Sequence, residues 1–146
     1  MSIKNLETYS EHNTGNFNNL SLDNNTVEYG QFTPTIVATT NVNGSVTGHR
    51  CYYFKLGAFY HVSFEGIVEE SAMGITTVTI GFPFAVSFAD ANSIISQGCK
   101  EESADLCYPT FNEAIPSTSN IIMKWNALAT YSGELKSVTD FIFPDP

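Results

Sequence analysis

The stretch Ala58-Phe59-Tyr60-His61-Val62-Ser63-Phe64-Glu65 alternates with a period of two. Ala58, Tyr60, Val62 and Phe64 fall on one side, and Phe59, His61, Ser63 and Glu65 on the other. Successive side chains of a strand point to opposite faces, so the pattern predicts a half-buried strand with an apolar row inward. Just before it, Arg50 to Leu56 (RCYYFKL) is a dense aromatic run, and Gly57 separates the two. Glycine accepts the backbone of a tight reversal, so the two runs are expected to pair as a hairpin.

Further runs with strand chemistry lie on either side. Thr33 to Thr40 is rich in β-branched residues, and Asn41-Val42-Asn43-Gly44 supplies a turn, reading as strand and then hairpin. Glu69 to Gly74 is a polar loop, Ile75 to Phe82 (ITTVTIGF) resumes strand chemistry, and Pro83 ends ladder pairing because it lacks an amide hydrogen. Ala85 to Ser96 lacks clean periodicity and is read as strand; residues 97–119, with two prolines and several acids, read as the longest irregular segment. Ile121, Met123, Trp125 and Ala127 alternate against Ile122, Lys124, Asn126 and Leu128. Tyr131-Ser132-Gly133 then turns the chain into a last strand, Leu135 to Phe143. About seven or eight short strands at this spacing predict an all-β domain, an antiparallel β-sandwich of the Greek-key or jelly-roll kind.

Composition agrees. The chain has 146 residues, suited to one domain, with 42% hydrophobic and only 14% charged residues. Asn, Ser and Thr fill the difference, and 11 Phe and 7 Tyr favour strands over helices. Fifteen acidic against six basic residues give a net charge of −9, which opposes binding to nucleic acid. No run reaches the roughly 18 apolar residues of a membrane helix, and the opening MSIKNLETYSEHNTGN does not resemble a secretory signal. The expectation is a soluble protein outside the general export pathway. Cys51, Cys99 and Cys107 are odd in number and lack C-x-x-C spacing, so three free thiols are expected, with a Cys99–Cys107 pair as the alternative.

Residues 1–30 differ from the rest. They hold seven of the thirteen asparagines, and their apolar residues are scattered singly. Such a segment builds no core of its own. It reads either as a disordered leader or as an arm that docks on another subunit through Phe17, Leu20 and Leu22, which are costly to leave exposed together. The expected division is an anchoring arm at 1–30 and a β-sandwich head at 31–146.

Catalytic signatures are lacking. Neither G-x-G-x-x-G nor a phosphate-binding G-x-x-x-x-G-K-[ST] loop occurs, and there is no G-x-S-x-G elbow. His12, His49 and His61 lack metal-ligand spacing, so no metal site and no cofactor are assigned. Glu69, Glu70, Glu101, Glu102, Asp105 and Glu113 are the acids from which a glycosidase pair would be drawn. They read as solvated loop acids, and no catalytic residue is assigned. More informative is the hairpin, where Tyr52, Tyr53, Phe54, Phe59 and Tyr60 exceed what one sheet face can bury. Either a second layer covers its other side or another chain does; Tyr52, Phe54 and Phe59 are the candidate contacts.

Three motifs in order carry a resemblance. Gly30-Gln31-Phe32-Thr33-Pro34, the stretch from Tyr53 to Phe64 (Y-x-K-x-G-x-x-x-x-V-x-F), and Ile80-Gly81-Phe82-Pro83-Phe84 resemble the opening, central hairpin and "G-L-P-F" segment of bacteriophage fibre and spike head domains. The resemblance spans residues 30–84 and extends weakly to the strands from Ile121. Phe82 in place of leucine and the acidic, cysteine-bearing segment from Gln97 to Ser119 depart from it.

It implies a trimeric β-sandwich head on a virion. A tail fibre needs a long shaft, whereas an extended arm of about 30 residues spans on the order of 100 Å. The expected function is therefore a non-enzymatic virion protein of a bacteriophage: a short capsid-attached head fibre, spike or decoration protein. It would be made in the host cytoplasm, carried on the particle surface as a homotrimer, held to capsid or other virion proteins by its arm, and able to contact host glycans. The alternative is a carbohydrate-binding module using exposed rings, with Trp125 and Tyr108 as first candidates and Trp125 doubling as a core residue.

Overall fold

The computed structural model describes residues 19–22, 25–48 and 50–143. Among these residues eleven strands follow one another: β1 (Asn19–Leu22), β2 (Asn25–Gln31), β3 (Thr35–Thr40), β4 (Thr47–Gly48), β5 (Tyr52–Leu56), β6 (Phe59–Val68), β7 (Gly74–Gly81), β8 (Ile95–Ser103), β9 (Leu106–Ala114), β10 (Asn120–Ala127) and β11 (Gly133–Ile142). Among the described residues there is no helix. All pairings are antiparallel, in the order β1-β2-β5-β6-β11-β8-β9-β10-β7-β3, with β4 added beside β6. The sheet curls into a half-barrel. Strand twist favours this, and register shifts at Ile36/Ala38 in β3 and Glu101/Ser103 in β8 add local twist.

The deciding stretch behaves as its alternation predicts. Tyr60, Val62, Phe64 and Val68 are buried, while Phe59 is exposed and His61, Ser63 and Glu65 are half-buried. Only Ala58 departs, because it is the second residue of the hairpin turn and is exposed. Gly57, with φ 58°, is the first, where a two-residue turn with one positive φ calls for glycine. Strand β10 is equally regular: Ile121, Met123, Trp125 and Ala127 are all buried, so Trp125 belongs to the core and cannot serve as a sugar platform. Rings tie the middle of the curled sheet to the loop that follows β7. Phe141 of β11 stacks on Tyr60 at 4.7 Å and on Phe82 at 6.0 Å, and meets Phe88 edge-on at 5.1 Å.

Several expectations are corrected. Strand β3 forms, but it pairs with β7, so the turn at Asn41 to Gly44 carries the chain to β4 rather than closing a hairpin. Residues 83–94 are irregular, and Phe84, Val86 and Phe88 pack from a loop. The segment expected to be irregular contains most of β8 and β9, a hairpin fastened by a Cys99–Cys107 disulfide; only Cys51 is a free, buried thiol. Its inward residues include Lys100 and Glu102, so the strand alternation is charged where an apolar pattern is sought. Pro109 is tolerated because β10 pairs with β9 only from Phe111 onward, leaving Pro109 with a neighbour on one side. The boundary expected at residue 30 falls inside β2, which pairs with β5 from Val27 to Gln31.

Candidate interaction surface

Register places three rows of side chains on the outer face of β2, β5, β6, β11 and β8. One runs Val27, Leu56, Phe59, Ile142; the next Tyr29, Phe54, His61, Asp140, Ile95; the third Gln31, Tyr52, Ser63, Val138, Gln97. The three candidate contacts are all here and all open to solvent: Tyr52 is 46%, Phe54 37% and Phe59 38% exposed. Tyr29, Ile95, Val138 and Ile142 join them, so seven of the thirteen exposed large hydrophobics among the described residues share this face. A continuous patch of that kind is the usual mark of an interaction site, whereas singly scattered apolar residues are not.

Polar groups are set into the patch. His61 Nδ1 lies 2.5 Å from an Asp140 carboxylate oxygen, both part-exposed, so His61 is a paired residue rather than a merely solvated one. Gln31 donates its amide to the Tyr52 hydroxyl at 3.3 Å. Beyond Tyr52 the face dips into a groove of about 440 Å³ with Arg50, Ser63, Glu65, Gln97 and Lys136 around it. Lys136 donates to Glu134 at 2.7 Å, and that hydrogen bond and charge raise its pKa. The sequence pointed to the hairpin aromatics but missed Val138 and Ile142. They alternate with the buried Ser137, Thr139 and Phe141, but polar residues stand on the buried row and apolar ones on the exposed row, so the final strand gives no face to read. Phe17 lies outside the described residues, as do the side chains of Leu20 and Leu22 in β1.

The acids sort differently from their expected place in solvent. Glu70 and Glu102 are buried, which overturns the loop-acid reading for both. Glu70 accepts from Trp125 Nε1 at 2.9 Å and from the Tyr131 amide at 3.2 Å, and lies 3.1 Å from Lys100 Nζ. Lys100 also donates to the carbonyls of Glu101 and Tyr131. Neither Glu102 carboxylate oxygen has a well-formed hydrogen bond. Burial first, and then the Glu70 charge, push its pKa up to about 7 against the pull of Lys100. Of the others, Glu101 accepts from the Glu134 amide at 2.9 Å, Glu113 pairs with Lys124 at 2.7 Å, and Asp105 is exposed. The buried cluster links β8, β10 and the segments around Glu70 and Tyr131 through Glu70 and Lys100. None of its residues lines the groove beside Tyr52.

Among the described residues no group of three or more His, Cys, Asp or Glu is placed to hold a metal ion, and no helix is long and apolar enough to cross a membrane. Comparison with protein-family models, curated proteins and solved structures found no match.

Proposed function

We propose that this chain is a structural protein of a bacteriophage particle: a capsid-attached head fibre, spike or decoration protein, without catalytic activity, carried on the virion surface. On this reading the curled sheet is a jelly-roll-like sandwich head. Three copies pack through the outer face of β2, β5, β6, β11 and β8, and the segment before β1 holds the trimer to the capsid or another virion component. The supporting observation is the grouping of Tyr52, Phe54 and Phe59 with four further exposed apolar side chains on one sheet face. Closing such a face against copies of itself removes apolar surface from water at about 25 cal/mol per Å². The motif order from Gly30 to Phe84 supplies the phage assignment.

Antibody against the chain should label purified virions, and a form lacking residues 2–18 should fold and oligomerise yet fail to associate with particles. Unlabelled virions would contradict the assignment, and undiminished association of the shortened form would contradict anchoring by the arm.

A further inference from the structure

The opposite side of the β2–β5–β6 region carries a second concavity. Glu28 of β2 faces Lys55 of β5, which in turn faces Tyr60 of β6, so these three share the inner side of the sheet. With Tyr53, Phe84 and Phe143 they line a cleft of about 450 Å³. Phe84 is the hub: its ring lies 5.1 Å from Tyr53 and 5.4 Å from Tyr60. Lys55 Nζ sits 5.2 Å from the Tyr60 ring centre, and all the lining side chains named except the more buried Tyr60 are half-buried.

We propose that this cleft binds a saccharide ring. Its size lies within the range of small-ligand sites, and aromatic rings there meet a few convergent polar groups, as such sites require. A sugar ring presents an apolar C–H face that packs on aromatic carbon, and a rim of hydroxyls that both donate and accept. The cleft matches both: Glu28 accepts, Lys55 donates, and the Tyr53 and Tyr60 phenols do either. Other ligand chemistries fit less well. A wholly apolar ligand would strip water from Lys55 and Glu28 without replacing its hydrogen bonds. A cationic ligand would compete with Lys55 for the Tyr60 ring. A nucleic-acid backbone would meet one cation in the cleft, against a chain charge of −9. The site lies on the other side of the sheet from the proposed packing face, so it stands or falls separately from the trimer.

The test screens the full chain on an array of neutral and acidic oligosaccharides, then measures affinity for the strongest hit by fluorescence titration. Glu28→Gln and Lys55→Met should each weaken binding at least tenfold with an unchanged circular dichroism spectrum, while Met73→Ser, at an exposed residue outside both the cleft and the packing face, leaves affinity unchanged. Hydrogen exchange of the unmodified chain provides a readout that does not depend on variants folding. The bound sugar should slow exchange around residues 53–55 and 84. No binding across the array, binding that survives both cleft substitutions, or protection confined to other segments would overturn the proposal.

Discussion

The Glu70 carboxylate lies 3.1 Å from the Lys100 ammonium, and both side chains are fully shielded from solvent. Desolvating two charges costs several kcal/mol each, so the pair depends on its further hydrogen bonds from Trp125 and Tyr131. Removing one partner leaves an uncompensated buried charge. Lys100→Met should therefore destabilise the fold by roughly 3–5 kcal/mol in urea melts, since it strands the Glu70 charge beside Glu102. A loss below about 1 kcal/mol, the usual value of an exposed pair, would show that the pair is solvated.

Glu102 makes the stability depend on pH. Its folded pKa of about 7 stands above the ordinary 4.5, so the folded state binds the proton more tightly than the unfolded chain does. That contribution is fully present below pH 4.5 and is lost as pH rises through about 7. The gap corresponds to on the order of 3 kcal/mol. Urea melts between pH 5 and 8 should show stability falling with pH, and Glu102→Gln should flatten the trend. Equal slopes in the two proteins would contradict this account of Glu102.

The Cys99–Cys107 bond closes a loop with a sequence separation of 8. Loop-closure entropy for that length is about 2.5 kcal/mol. Cys99→Ser with Cys107→Ser should lower stability by about that amount and leave the β8–β9 hairpin folded, because its ladder continues to Gly98 and Thr110. Melts of the double variant with and without reductant should coincide, while those of the parent should separate. A parent protein indifferent to reductant would contradict the bond.

Legibility followed the chemistry of the inward-facing row. Where that row is apolar, as in β6 and β10, simple alternation gave strand and face, with the β5 hairpin partner for β6, and it put Trp125 in the core. Where the row is charged, as at Lys100 and Glu102 of β8, the same geometry looked like a polar loop, because only the tertiary contact with Glu70 makes the Lys100 charge tolerable inside, and burial beside Glu70 raises the pKa of Glu102. Val86 and Phe88 misled in the other direction: the run from Ala85 reads as a strand, yet they reach the core from a loop. Pairing partners distant in sequence, such as β3 with β7, left no local trace. The aromatic surface was half legible. The hairpin rings announced a surplus, but the strand from Gly133 to Ile142 that completes the patch had to be placed beside β6 before Val138 and Ile142 could be counted with them.

If the outer face is a packing surface, polar substitutions there should act on assembly rather than folding. Phe54→Ser with Phe59→Ser should shift the protein toward monomer at micromolar concentration while changing monomer stability by less than about 1 kcal/mol, because both rings are already part-exposed. A large stability loss without any change in assembly would assign the rings to the fold instead.

The most direct measurement is the solution mass of the purified chain by light scattering behind a sizing column. The proposed trimer predicts a mass three times 16.0 kDa, reduced toward 16.0 kDa by the Phe54 and Phe59 substitutions. A mass of 16.0 kDa for the unmodified chain at all accessible concentrations would contradict it.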